Sequence, residues 1–281
     1  MLFSRSTWRI IRTPPARGAW NMAVDEAILE ATGRGEVLPA LRLYAWAPPC
    51  LSLGYAQPVA DVDLLALAAQ NWDLVRRPTG GRAILHTDEL TYSVIGPASE
   101  PRLSGSVLQS YQVLSQALLR ALQFLDLPAQ ALEKNLAPNA GQPGNAASQN
   151  PVCFEVPSNY EITVNGRKLI GSAQARRKEG VLQHGSLPLY GDLTRITQAL
   201  VFSDAADRAA AAGRLSSRAC TAQAVLGRPL SWEAAADAFQ AAFQAALNLD
   251  LQPADLTPGE SARAAQLVQE KFAHAGWTNR I

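Results

Sequence analysis

The sequence predicts an α+β protein with mixed or antiparallel sheets. Strand-like segments fall into two groups, one within residues 41–95 and one within 160–189. Helical periodicity lies between and after these groups, without the regular βαβ alternation that builds a parallel sheet. The 281 residues are 48% hydrophobic and 17% charged, with a mean hydropathy of -0.04. Ordinary globular chains carry about 25% charged residues, so this composition supplies one large core or two smaller ones.

In chain order, Trp20, Val24, Ala27, Ile28 and Ala31 recur at helical spacing with Asp25, Glu26 and Glu30 between them, and Gly33 and Gly35 follow as stop signals. The pattern predicts an amphipathic helix packed on a flat surface. Residues 41–46 alternate with period two, Pro48-Pro49 interrupts, and 51–53 resumes before Gly54, which reads as two short strands. Asp61 is then expected to cap a helix through Leu64, Leu67 and Ala68. Residues 73–77 form a strand that ends at Pro78-Thr79-Gly80-Gly81, with further strands at 82–86 and 90–95 and a long helix over 104–127. Periodicity disappears over 134–151, where Asn, Gly, Pro, Gln and Ala give the composition of a mobile surface loop. Residues 160–164, the Asn165-Gly166 turn, 168–175 and 181–189 read as a three-stranded meander, which implies a second sheet or a sheet edge. Helices follow over 193–202 and 231–249. A last one opens at Thr257-Pro258-Gly259-Glu260, a capping box with proline in the first turn.

Lys and Arg total 25 against 24 Asp and Glu, a formal charge of +1, so no long-range field draws nucleic acid or an anionic membrane. No apolar run approaches the roughly 18 residues of a spanning helix, and the start lacks the apolar region and cleavage site of a signal peptide. These features predict a cytoplasmic protein. Cys50, Cys153 and Cys220 are odd in number, far apart and without CxxC spacing, which indicates neither a disulfide framework nor a zinc site.

The densest chemical signal is Arg76-Arg-Pro-Thr-Gly-Gly-Arg-Ala-Ile-Leu-His86. Two glycines directly after a strand let the backbone approach a ligand, and the flanking arginines supply forked donors for an anionic or carbonyl group. Taken alone, a Gly-Gly turn is more often structural than functional. A histidine placed like His86 serves a structural or ligand-shaping role more often than a catalytic one. Cys153 lies between Pro151 and Pro157 at the exit of the polar loop. Most lone cysteines are small buried hydrophobes, but this setting suits a reactive thiol if a neighbour lowers its pKa. Lys168 is the candidate neighbour, since lysine occurs only at positions 134, 168, 178 and 271 and this one sits in an otherwise apolar strand. Gly171 and Ala173 leave room for a ligand against that strand. Cys50, Cys220, His184 and His274 carry no such signal, and both cysteines are read as structural.

Arg76–His86 with Glu89-Leu-Thr-Tyr-Ser-Val-Ile95, Cys153-Phe-Glu-Val-Pro-Ser-Asn-Tyr-Glu161 and Lys168-Leu-Ile-Gly-Ser-Ala-Gln174 together resemble the biotin and lipoate protein ligase (LplA/LipB) superfamily. Within it they are similar to octanoyltransferases of the LipM type, over about residues 20–249. The resemblance implies an α+β catalytic domain with a large mixed sheet, a smaller sheet and flanking helices. A single domain spans 1–281, with the superfamily core at about 30–250 and a C-terminal helical extension at 251–281. It implies transfer of an octanoyl group from octanoyl-acyl carrier protein to a lysine of a lipoyl domain such as the glycine cleavage H protein. Cys153 becomes the acyl-accepting nucleophile and Lys168 the residue that lowers its pKa. Arg77, Thr79, Gly80, Gly81, Arg82, His86, Gly171 and Ala173 become the substrate-binding residues. A monomer without metal, nucleotide or other cofactor is expected, and replacing Gly81 with Val should reduce acyl loading while leaving the fold intact. The alternatives are an ATP-dependent lipoate protein ligase and a non-catalytic lipoyl-domain binding protein. Arg82 stands where the ligases usually carry a third glycine, and a degenerate copy has no reason to keep both Cys153 and Lys168.

Overall fold

The computed structural model describes residues 3–133 and 160–281. Strand β1 (Ser6–Arg12) leads to helix α1 (Gly18–Gly33), strands β2 (Ala40–Tyr44) and β3 (Cys50–Leu53), and helix α2 (Leu64–Ala69). Strands β4 (Asp73–Arg76), β5 (Ile84–His86) and β6 (Glu89–Gly96) precede helix α3 (Val107–Phe124) and strand β7 (Gln130–Glu133). Strands β8 (Tyr160–Val164), β9 (Arg167–Arg177) and β10 (Gly180–Pro188) follow. The chain finishes with helices α4 (Ala205–Arg218), α5 (Ala222–Leu226) and α6 (Trp232–Leu247), strand β11 (Leu249–Pro253), and helices α7 (Pro258–Leu267) and α8 (Ala275–Thr278).

Eight strands form one mixed sheet in the order β11-β1-β2-β6-β10-β9-β8-β7, and β4-β3-β5 form a small one. The α+β expectation with a large and a smaller sheet therefore holds. Of the two placements the meander allowed, a second sheet or a sheet edge, the structure has the edge: β10 pairs antiparallel with β6 from Val181↔Gly96 to Pro188↔Glu89, and β9 and β8 carry the large sheet on toward its β7 edge. The small sheet is built instead from the segment around the Gly-Gly turn.

Both faces of the large sheet are covered. Leu43, Tyr92 and Val94 pack against Leu114 and Leu118 of α3 and Phe239 and Phe243 of α6. On the opposite face Tyr44, Ile95 and Leu182 meet Met22, Val24 and Ile28 of α1, with Leu267 of α7 behind them. Helix α1 is thus enclosed on more than one side, which puts Asp25 at 0% exposure where the amphipathic reading left it on a polar face.

Local signals locate some ends and miss others. Thr257 and Glu260 form the expected capping box with Pro258 in the first turn, and the Glu260 carboxylate also accepts from Arg9 at 2.7 and 3.0 Å. Asp61, by contrast, lies in a 3-10 turn (Val59–Asp61). The cap of α2 is Asp63, whose side chain accepts from the Ala66 N–H at 2.9 Å. The segment expected as a helix over 193–202 is a 3-10 run, Leu193–Ala199, and the helix proper is α4, capped by Asp204. Strands β1, β7 and β11 were not legible as strands, and the first holds Arg9 among its buried residues. Among the described residues no helix is long and apolar enough to cross a membrane.

Candidate active site

The chain from β4 into the Gly-Gly turn is braced by its own arginines. The Arg76 guanidinium is buried and donates to the carbonyls of Gly54 (2.8 Å), Gln57 (2.6 Å) and Thr278 (2.7 Å). Its backbone carbonyl accepts from Trp277 Nε1 at 2.9 Å, so the C-terminal segment is fastened to this turn. Arg77 donates to Ser52 O at 2.9 Å and, from its other nitrogen, to Gly80 O and Arg82 O at 2.8 Å each. Saturating backbone carbonyls with charged donors fixes the turn without long side-chain pairs. Gly54 approaches so closely that a Cβ there would lie 1.8 Å from Gly81 O.

This turn forms one rim of a cavity of about 280 Å³. Met22, Trp46, Ile84, Val107 and Tyr111 give it apolar walls, and Gly171, Ala173 and Gly185 keep its strand side shallow. Of the residues predicted to bind substrate, Arg77, Gly80, Gly81, His86, Gly171 and Ala173 line it. Thr79 and Arg82 stand behind the lining. Thr79 Oγ1 is 2.7 Å from His184 Nε2, and Arg82 contributes the carbonyl held by Arg77.

Two buried polar networks support the walls. In the first, His86 stacks on Trp46 with ring centroids 4.0 Å apart, while Nδ1 meets Glu89 Oε1 at 2.7 Å and Nε2 meets Ser52 Oγ at 2.8 Å. Glu89 also accepts from Ser186 at 2.7 Å and from Thr91. Burial alone would push its carboxyl up, but His86 and these hydroxyls more than offset that and hold it below the ordinary value. Ser52, His86 and Glu89 stand in the order of a nucleophile triad, yet Ser52 has 0% exposure and its hydroxyl also accepts from Arg77 at 3.1 Å. The arrangement therefore holds the His86 ring in place against Trp46.

In the second network Asp25 accepts from Arg42 (2.7 Å), Ser93 (2.6 Å) and Tyr44 (3.1 Å). His184 Nδ1 lies 3.7 Å from the same carboxylate. Burial raises the Asp25 pKa, but Arg42, His184 and Ser93 together outweigh it and the group is held below its ordinary value. Burial pulls His184 down, against the pull of Asp25, which leaves the ring neutral and bridging Asp25 to Thr79 of the turn. Neither residue was found by sequence reasoning. Asp25 looked like helix surface, and His184 acquires its partners only when β10 is laid beside β6.

Lys168, on β9, is buried rather than solvated at a strand edge, with Nζ 3.5 Å from Glu161 Oε1. It lines a small cavity of about 10 Å³ that shares Tyr111 and Ser172 with the large one. Cys153 lies outside the described residues. Cys50 and Cys220 are buried free thiols, and burial pushes both up. Among the described residues no group of three or more His, Cys, Asp or Glu could hold a metal ion.

The Gly81 expectation needs correcting on geometry. Its φ is +93°, a region that a β-branched residue enters only under strain, whereas a Cβ on Gly80 would meet nothing within 4 Å. Gly81→Val should cost about 1–3 kcal/mol and Gly80→Ala close to nothing, which thermal unfolding of the two variants will distinguish.

A mixed sheet carrying an apolar cavity beside an arginine-braced Gly-Gly turn defines the class. Residues 17–244 match the model of the lipoyl protein ligase A/B catalytic domain. A bipartite lipoate protein ligase from Thermoplasma acidophilum superposes with a TM-score of 0.78 at 22% identity, covering 97% of this chain and 96% of that one. Lipoate-protein ligase A bound with ATP gives 0.78 at 22% identity, covering 98% and 99%. Among sequences, octanoyltransferase LipM of Kyrpidia tusciae is 41% identical over 95% of this chain and 97% of its own. That of Symbiobacterium thermophilum is 41% identical over 98% and 99%. The chain belongs to the lipoyl protein ligase A/B family and, within it, to the octanoyltransferases named LipM, which makes it an acyltransferase.

Proposed function

We propose that the chain transfers an octanoyl group from octanoyl-acyl carrier protein to a lysine of a lipoyl domain, in lipoate biosynthesis, through a thioester on Cys153. The observation that carries this reading is the apolar cavity of about 280 Å³ beside the strand that bears Lys168, in a chain of the LipM family. Each methylene buried there contributes on the order of 0.8 kcal/mol. The Cys153 thiolate attacks the donor thioester carbonyl and expels the carrier's thiolate, which takes up a proton. The neutral lysine amine of the acceptor then attacks the enzyme thioester, forming the amide and returning the cysteine thiol. Exchange between thioesters is nearly balanced and amide formation is downhill, so two easy steps replace one hard one without ATP.

Lys168 supplies the positive charge that favours the thiolate, and its Nζ is held by an ion pair with Glu161 at 3.5 Å. Arg77, Gly80, Gly81, His86, Gly171 and Ala173 contact the acyl chain, while Thr79 and Arg82 hold the turn. The acceptor reading draws support from the archaeal neighbour, which is described together with its E2 lipoyl domain. The glycine cleavage H protein is the acceptor we favour. The whole chain acts as one cytoplasmic catalytic domain and a monomer, with 251–281 as its C-terminal extension, and needs neither metal nor nucleotide.

The decisive experiment mixes the protein with apo lipoyl domain and either octanoyl-acyl carrier protein without ATP, or free octanoate or lipoate with Mg-ATP. Modification in the first mixture and little in the second is expected. The neighbour that binds ATP makes the second mixture the relevant rival. Efficient ATP-dependent modification that survives Cys153→Ala would establish a ligase, and inactivity in both would favour a binding protein.

A further inference from the structure

A line of hydrogen bonds runs from the start of α3 through the sheet to the large cavity, and its direction is set at one end. Arg176 can only donate. Its Nε gives a 3.0 Å bond to Gln174 Oε1, and the guanidinium is anchored on Leu103 O at 2.8 Å and Ser110 Oγ at 2.9 Å. With its oxygen so assigned, Gln174 turns its amide nitrogen to Gln183 Oε1 at 2.9 Å. Gln183 then presents its own nitrogen to Tyr92 Oη at 3.2 Å. Each amide orientation follows from the one before it.

Tyr92 has 0% exposure, and burial pushes its pKa up to about 12, so it keeps its proton. Having accepted from Gln183, the phenol has one acceptor within reach among the described residues, Ser172 Oγ at 2.7 Å. Leaving that proton unpaired would cost the desolvation of a buried donor, about 1–3 kcal/mol, so Tyr92 donates to Ser172. The Ser172 hydroxyl proton is then left without an acceptor among the described residues. Ser172 is half-buried and lines both the large cavity and the small one that holds Lys168.

We propose that the Ser172 hydroxyl is a catalytic donor that binds the acyl carbonyl oxygen and stabilises the oxyanion formed when the thioester is attacked. This rests on the acyl-transfer reading above. The relay from Arg176, half-buried at Gln174 and fully buried at Gln183 and Tyr92, polarises the hydroxyl, since successive hydrogen bonds in a chain shielded from water strengthen one another, and the donor is in place before substrate arrives. Removing one such donor from an acyl-transfer site costs about 10² to 10³ in rate. Tyr92 is a positioning residue, acting only through Ser172.

The test is single-turnover acylation by octanoyl-acyl carrier protein, followed by intact mass, across a range of donor concentrations. Ser172→Ala should acylate at least about 10²-fold more slowly at an unchanged half-saturating concentration, and, because the buried Tyr92 phenol then loses its acceptor, should be less stable by about 1–3 kcal/mol while still folded at the assay temperature. Ser172→Thr, which keeps the hydroxyl, should restore most of the rate. Tyr92→Phe should slow acylation several-fold in the presence of Ser172 and have no further effect in Ser172→Ala, a coupling that a merely structural role would not produce. A Ser172→Ala rate within threefold of wild type, or independent effects of the two changes, would overturn the role of Ser172 and leave the acyl-transfer reading intact. Absence of acylation in wild type would remove both.

Discussion

Cys153→Ala is expected to take up no octanoyl group from octanoyl-acyl carrier protein, where wild type gains the mass of one, and to lose transfer to the lipoyl domain by more than about 10³-fold. Losing the nucleophile of a covalent mechanism leaves only binding and electrostatic effects, which recover a small part of the rate. The result is interpretable because the other two thiols are silent: Cys50 and Cys220 are buried and raised in pKa, so alkylation at neutral pH reports on Cys153. Lys168→Ala should slow that alkylation by returning the thiol toward its unperturbed value near 8.5. An iodoacetamide rate against pH that is identical in both proteins removes Lys168 from the mechanism, and equal acyl uptake by Cys153→Ala removes the cysteine.

What could be read from sequence was contiguous. Arg76-Arg77-Pro78-Thr79-Gly80-Gly81 and Lys168 to Gln174 each keep their chemistry within a few residues, so their types and order were enough to locate the cavity rim. The supporting networks are not contiguous. Asp25 and Arg42 are 17 positions apart, Thr79 and His184 are 105, and Tyr92 and Ser172 are 80, and these pairs exist only once β2, β6, β10 and β9 are in register. The same reason explains the strands that were missed. Strand β11 pairs in parallel with β1 from Ser6↔Leu249 to Ile10↔Pro253, so the helical C-terminal third contributes an edge to the large sheet. Arg9 and Glu260 mislead in the same way, since a buried ion pair reads as two surface charges until its halves meet.

Asp25→Ala should be the most destabilising single change among those considered, by about 3–5 kcal/mol, because it strands the Arg42 guanidinium at 0% exposure. The lost carboxylate holds Arg42, Ser93 and Tyr44 at once, and none of the three can turn to water. Arg42 retains Asn21 Oδ1 at 2.7 Å and Thr13 Oγ1 at 3.0 Å, which satisfy donors but not charge. At 2–4 °C per kcal/mol for a chain approaching this size, the unfolding midpoint should fall by roughly 10 °C. The pH dependence follows from the direction of the shift. Asp25 is held below its ordinary value in the folded protein, so its contribution is complete above the unfolded value of about 3.9 and is lost as pH falls through the folded one. The gap between wild type and variant should therefore be full at pH 7 and contract below about pH 4. His184, lowered by burial, stays neutral in the fold while the unfolded chain protonates near 6.5, so wild type itself should begin to lose stability as pH drops below that value. A denaturant midpoint for Asp25→Ala that matches wild type at pH 7 would mean that Arg42 is solvated after all, and with it the enclosed packing of α1 against the sheet.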